Sequence, residues 1–69
     1  MKSDSKTIGI LGGGQLARML AVAAARLGYK TNIYDPDREC PASHVSSQNK
    51  IASFSDQSSL IDFAKNIDV

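Results

Sequence analysis

The chain has 69 residues, with eight Lys or Arg, seven Asp or Glu, one His and one Cys, and a formal net charge of +1. This length allows one small domain, and a charge near zero argues against electrostatic binding to nucleic acid or to a membrane surface. A single cysteine excludes an intrachain disulfide and a cysteine-cluster metal site, and it suits the reducing cytoplasm. No apolar run approaches the roughly 18 residues of a membrane span.

The amino-terminal part of the chain predicts a lead-in followed by a strand. Residues 1–5 are polar and are predicted to form a flexible lead-in to a domain that covers residues 6–69. Residues 7–11 are apolar and β-branched and stop at a glycine, which is typical of a strand buried on both faces in a parallel sheet.

The first helix is predicted from residue 15 to residue 27, because apolar residues recur there at spacings of three and four. The residues on this apolar face are Leu16, Met19, Leu20, Ala23 and Leu27. A stripe of small residues on one flank, where another element could approach closely, consists of Ala17, Ala21 and Ala24. Gly28 is expected to end the helix in the left-handed conformation.

The middle of the chain predicts a second strand, a short helical turn and a third strand. Residues 30–34 read as a strand that ends before Pro36, which has no N–H to donate to a sheet. Residues 41–45 can form one helical turn with proline at its first position. Residues 50–54 are a weaker candidate for the third strand.

The second helix follows a cap at Ser55 or Asp56. Its apolar face consists of Leu60, Phe63, Ala64 and Ile67. Residues 68–69 are expected to begin a fourth strand that this chain does not complete. The order β-α-β-β-α predicts an α/β fold with a Rossmann-like parallel sheet, incomplete at its carboxyl end.

A glycine-rich turn joins the first strand to the first helix, and its sequence GGGQLA fits G-x-G-x-x-A. Gly12 permits the tight turn, Gly14 removes a side chain that would block a ligand, and Ala17 lets helix and strand pack closely. Free N–H groups at the start of a helix attract phosphate or carboxylate. We therefore expect the N–H groups of Gly13, Gly14 and Gln15 to be free to receive an anion.

Asp35 lies at the end of the second strand, 21 residues after Gly14. In a nicotinamide-binding domain, an acidic residue at this place accepts hydrogen bonds from a ribose. Alternatively, Asp35 is a carboxylate that starts the turn before Pro36. The turn alone leaves open a dinucleotide, a sugar phosphate, a nucleotide or no ligand at all.

Longer stretches of the chain are more specific than the glycine motif. Residues 9–20, 27–30 and 34–37 closely resemble the amino-terminal end of the N5-carboxyaminoimidazole ribonucleotide synthetase family, which are ATP-grasp enzymes of purine synthesis. Residues 40–42 and the second helix also lie where this family has a turn and a helix. The resemblance runs from Lys6 onward and implies a pre-ATP-grasp domain.

The resemblance also implies a reaction. The family uses ATP to convert bicarbonate to carboxyphosphate and then carboxylates 5-aminoimidazole ribonucleotide, with Mg²⁺ balancing the phosphoryl charge. The glycine turn faces the ribonucleotide, which assigns substrate binding to Gly13, Gly14, Gln15 and Leu16. The residues that bind ATP and Mg²⁺ would lie beyond Val69. This chain therefore holds no catalytic or metal-binding residue of the family and should be inactive alone.

Two further functions stay open from the residues. The chain could be the amino-terminal piece of a nicotinamide-dependent oxidoreductase that uses Asp35, or a nucleotide-binding module without catalysis. Gln15 and Leu16, directly after the three glycines, favour the ligase. The family also implies a homodimeric enzyme that acts on small molecules. The charge, the hydropathy and the single cysteine favour a cytoplasmic protein that binds neither nucleic acid nor membrane. His44 and Cys40 are expected to be structural, because neither has a catalytic partner nearby in the sequence.

Overall fold

The computed structural model describes residues 6–69, which form a parallel sheet flanked by helices. The elements are β1 (Thr7–Leu11), α1 (Gln15–Arg26), β2 (Lys30–Asp35), a 3-10 helix (Pro41–His44), β3 (Gln48–Ile51) and α2 (Gln57–Lys65). The strands lie in the order β1-β2-β3, and both strand pairs are parallel. The predicted α/β class and β-α-β-β-α order are confirmed. The lead-in predicted at residues 1–5 lies outside the described residues.

β3 is the element whose position the sequence predicted wrongly. It covers Gln48–Ile51 rather than residues 50–54. Phe54 lies outside the sheet, and its ring packs on that of Tyr34 of β2, with the ring centroids 5.7 Å apart. The Tyr34 hydroxyl donates a hydrogen bond of 2.7 Å to the carbonyl oxygen of Ser53. These two contacts hold the segment after Ile51 as a turn over β2, so it cannot continue the strand.

One face of the sheet is covered by α1, which buries Ala17, Ala21 and Ala24 and leaves its leucines exposed. Ala21 is fully buried, whereas Leu27 is 74% exposed. The residues packed together beneath α1 are Ala17, Ile33, Cys40 and Ala42, with Ile10 against them. The leucine face predicted from helical spacing is therefore wrong as a buried face, because the small alanine stripe allows the closer approach to β2 and the 3-10 helix.

The opposite face of the sheet is covered by α2. Tyr34 is fully buried there, and its ring meets that of Phe63 edge to face at 5.2 Å. Gly9 of β1 lies directly under Ile67, and a methyl group on Gly9 would collide with that side chain. Tyr34 and the glycine of β1 thus let the carboxyl-terminal helix lie close against the sheet.

Gly28 ends α1 as predicted. Its φ angle is +87°, in the left-handed region that favours glycine. The Gly28 N–H donates to Ala25 O at 3.1 Å, and the Tyr29 N–H donates to Ala24 O at 2.9 Å. These two bonds form a Schellman motif, which satisfies carbonyls at the helix end and directs the chain into β2.

Residues 68–69 run beside β1 on the edge opposite β2. The Gly9 N–H donates to Val69 O at 2.7 Å, and the Val69 N–H donates to Thr7 O at 3.4 Å. These bonds follow the pattern of a parallel strand pair, in agreement with the prediction that a further strand begins here.

An apolar groove of about 670 Å³ follows the same edge of β1. It is lined mainly by Ile8, Ile10, Leu20, Ala23, Leu27 and Tyr29.

None of the helices within residues 6–69 has the length and hydropathy needed to cross a membrane.

α2 begins at the predicted cap, Asp56. Its carboxylate accepts the Ser59 N–H at 3.2 Å, the Ser59 hydroxyl at 2.9 Å and the Ser58 hydroxyl at 3.0 Å. These bonds, the Ser59 N–H first among them, hold the pKa of the Asp56 carboxyl below its ordinary value. Since its pKa is lower in the folded state, the carboxylate stabilises the fold above the unfolded-state pKa of about 3.9. That contribution is lost as the pH falls through the folded-state pKa.

We expect Asp56→Asn to flatten the acid limb of the stability curve. Asparagine also caps helices but does not ionise. Between about pH 5 and pH 2, the free energy of unfolding should therefore fall less in this variant than in the unchanged chain. Urea denaturation followed by circular dichroism across this range measures the difference. Parallel pH profiles for the two proteins would contradict the role given to the carboxylate.

Candidate functional site

The glycine turn between β1 and α1 is fixed to β2 and to the 3-10 helix by three hydrogen bonds. The Gly12 N–H donates to Tyr34 O at 2.8 Å, which extends the β1–β2 ladder by one residue. The Gly13 N–H donates to Asp35 Oδ2 at 2.8 Å. The Gly13 carbonyl accepts the Ala42 N–H at 2.9 Å. Gly12 has a φ of +93°, which confirms its predicted place at the tight turn.

The N–H groups that follow the turn have no acceptor within residues 6–69. They belong to Gly14, Gln15 and Leu16, all of which are exposed. Gly14 is the N-cap of α1 and makes no side-chain capping bond, while its carbonyl accepts the Arg18 N–H at 3.0 Å. Unpaired N–H groups at the positive end of a helix dipole form a local site for an anion.

Gly13 differs from the prediction that the N–H groups of Gly13, Gly14 and Gln15 are free. The expectation that its N–H is free is wrong, because the Asp35 side chain reaches across from β2 and accepts it. Asp35 Oδ1 also accepts the Asp37 N–H at 2.8 Å, which is the bond of an Asx turn. The carboxylate therefore acts within the turn after β2 and also holds the glycine turn. Its recognition of a ribose remains a hypothesis without support from this geometry.

An open pocket of about 430 Å³ lies beside the helix start. Its lining includes Gly12, Gly14, Gln15, Leu16 and Leu20. A methyl group added to Gly14 would meet no atom within 4 Å, so the space above this residue is open. The pocket thus combines N–H donors with an apolar wall, an arrangement suited to a ligand that carries both an anionic group and an apolar part.

Close packing beneath Gly13 is a feature that the sequence analysis missed. A methyl group on Gly13 would collide with Cys40 Sγ and lie 3.0 Å from Ile33 Cγ2. Cys40 is a buried free thiol at the start of the 3-10 helix, in agreement with its predicted structural role. Pro41, at the first position of that helix, is the sequence signal that fixes where Cys40 turns inward.

None of the ionisable residues from Lys6 onward lines this pocket. His44 is exposed at the last position of the 3-10 helix. Among the residues from Lys6 to Val69, no three His, Cys, Asp or Glu side chains are grouped so that they could hold a metal ion. A polar pocket of about 380 Å³ lies at the other end of the strands, around Thr7, Lys30 and Gln48, away from the glycine turn.

Comparison with known proteins identifies the family of this chain. Residues 5–69 match the family model of the ribonucleotide synthetase preATP-grasp domain. The bifunctional purine synthesis protein purC/E of Dictyostelium discoideum is 54% identical over 63 residues, which are 91% of this chain and 6% of that protein. The N5-carboxyaminoimidazole ribonucleotide synthase of Brucella melitensis biotype 1 is 51% identical over 63 residues, which are 91% of this chain and 17% of that enzyme.

Solved structures of proteins similar to this chain have the same fold. An N5-carboxyaminoimidazole ribonucleotide synthetase in complex with ADP superposes with a TM-score of 0.90 at 42% identity, over 93% of this chain and 17% of the other. The carboxyaminoimidazole ribonucleotide synthase of Aspergillus clavatus, in complex with ATP, gives a TM-score of 0.80 at 38% identity, over 93% and 17%. This chain therefore spans about a sixth of the length of these enzymes.

We expect alanine to destabilise the fold to different extents at two adjacent glycines. Gly13→Ala should destabilise the fold by about 1–3 kcal/mol, because the new methyl group overpacks the contact with Cys40. Gly14→Ala should cost less than about 1 kcal/mol, since alanine is only a poorer N-cap there. Urea denaturation measures both losses.

Cys40→Ala supplies the matched test of the contact. In the Gly13→Ala background, removal of the sulfur should recover part of the lost stability, with a coupling energy above about 0.5 kcal/mol. Equal losses at the two glycines, or strictly additive effects of Gly13→Ala and Cys40→Ala, would contradict the packing argument.

Proposed function

Because the chain belongs to the ribonucleotide synthetase preATP-grasp domain family, we propose that it forms the substrate-side part of an ATP-dependent ligase. This ligase carboxylates 5-aminoimidazole ribonucleotide in purine synthesis. The observation that carries the proposal is the exposed row of N–H groups at Gly14, Gln15 and Leu16. The sequence around these groups supports the proposal, because the chain is 51% identical over 63 residues to a ribonucleotide synthase.

In this proposal the phosphoryl transfer and the carboxylation use residues of other parts of the enzyme, and the ribonucleotide binds to this chain. ATP transfers its terminal phosphoryl group to bicarbonate, which gives carboxyphosphate and ADP. The exocyclic amine of the ribonucleotide attacks the carboxyl carbon, and phosphate leaves. The proposal extends through the family resemblance to Mg²⁺ as the ion that accompanies ATP, to a homodimeric assembly that binds neither nucleic acid nor membrane, and to the cytoplasm.

The residues of this chain bind and orient the ribonucleotide. The N–H groups of Gly14 and Leu16 donate to an anionic or carbonyl oxygen of the substrate. Gln15 is the first residue of α1 and is exposed, so its amide can donate to or accept from the same ligand. Leu16 and Leu20 provide the apolar wall of the pocket.

We expect Gln15→Ala to weaken the use of the ribonucleotide more than the use of ATP. Loss of one hydrogen bond to the substrate costs about 1–3 kcal/mol, which raises KM for the ribonucleotide by about 5- to 150-fold. Steady-state kinetics of the protein encoded by the complete reading frame, with ribonucleotide and ATP varied in turn, measures the effect.

Gln57→Ala is the matched control, because Gln57 is also an exposed glutamine at the first position of a helix. It should change neither KM. Unchanged kinetics for the ribonucleotide in Gln15→Ala would contradict the assignment of Gln15. Titration with NAD separates the alternative oxidoreductase function: submillimolar NAD binding that is lost in Asp35→Ala would favour that function over the ligase.

A further inference from the structure

We infer that Asp35 is a positioning residue for the glycine turn and, resting on the proposed function, for the ribonucleotide that the turn receives. Its carboxylate joins two backbone segments. One oxygen accepts the Gly13 N–H at 2.8 Å, and the other accepts the Asp37 N–H at 2.8 Å. Asp35 contacts the turn that presents the pocket but does not itself line the pocket.

Two successive N–H groups of the turn point towards β2, and Asp35 makes this possible. Successive N–H groups of an extended strand point in opposite directions. Gly12 breaks that alternation with its φ of +93°, so that the Gly13 N–H turns back towards β2. No β2 carbonyl takes this N–H, and the Asp35 carboxylate receives it instead.

The bond fixes the orientation of the next peptide groups. Gly13 is held at its N–H by Asp35 and at its carbonyl by the Ala42 N–H. With both sides of Gly13 anchored, the backbone that follows is held in place at Gly14, Gln15 and Leu16, which line the pocket. A carboxylate acceptor makes a stronger bond than a neutral one, and the positive end of the α1 dipole beside it favours the same contact.

We expect Asp35→Asn to lose the Gly13 bond and to keep the second one, because asparagine has a single side-chain oxygen and favours the Asx turn. The side-chain oxygen of asparagine can keep the Asx bond to the Asp37 N–H, which places the NH₂ group against the Gly13 N–H. Asp37→Asn is the matched control. Asp37 is exposed in the same loop, and its Oδ1 accepts the Glu39 N–H at 2.9 Å in an Asx turn of its own. The two variants lose the same charge, but only one of them touches the glycine turn.

The experiment has two measurements on the protein encoded by the complete reading frame. Hydrogen–deuterium exchange, read by mass spectrometry on peptides that cover residues 12–17, should become faster in Asp35→Asn and stay unchanged in Asp37→Asn. Steady-state kinetics should give a KM for the ribonucleotide that is roughly tenfold higher in Asp35→Asn. The kcat and the KM for ATP should stay within about twofold, and Asp37→Asn should match the unchanged protein. A merely structural role would lower the active fraction, and hence kcat, without changing KM.

Each outcome decides the inference. Unchanged exchange over residues 12–17 in Asp35→Asn overturns it, and so does faster exchange with an unchanged KM for the ribonucleotide. If the unmutated protein does not consume the ribonucleotide, the proposed function fails. The exchange measurement then decides alone whether Asp35 positions the turn.

Discussion

The absence of a side chain at Gly13 is the constraint on which the rest of the structure depends. Cys40 and Ile33 lie so close beneath this residue that a methyl group does not fit. This approach brings the 3-10 helix under the start of α1, where Ala42 donates to the Gly13 carbonyl. The same closeness explains why α1 buries alanines there, because larger side chains would hold the helix away from the sheet.

The order of elements follows directly from the sequence, because its signals are local. The left-handed glycines at positions 12 and 28 mark the two ends of the α1 connection, and both have positive φ angles. The helix face was not predictable in this way. Helical spacing gives two candidate stripes, of leucine and of alanine, and the choice depends on β2 and the 3-10 helix, which contact α1 from elsewhere in the chain.

The candidate site shows the same division between local and distant signals. Unpaired N–H groups at Gly14 and Gln15 follow from the local rule that the first turn of a helix has no internal acceptors. Whether the Gly13 N–H is free or hydrogen-bonded depends on Asp35, a side chain 22 residues away. A parallel pairing of the first two strands brings their ends together, so an aspartate at the end of the second strand is the signal that points to this contact.

The pairing of residues 68–69 with β1 has a consequence for the order in which the chain folds. The bond between the Thr7 N–H and Asp68 Oδ2 joins positions 61 residues apart, so almost the whole chain must be in place before it forms. The β1-α1-β2 unit closes a much shorter loop, and it gains a ladder of five residue pairs and the Schellman end of α1 in return. We therefore expect this unit to assemble first. Because the bond from the Gly9 N–H to Val69 O joins distant parts of the chain, we expect the Gly9 N–H to exchange with solvent more readily than the N–H groups between β1 and β2.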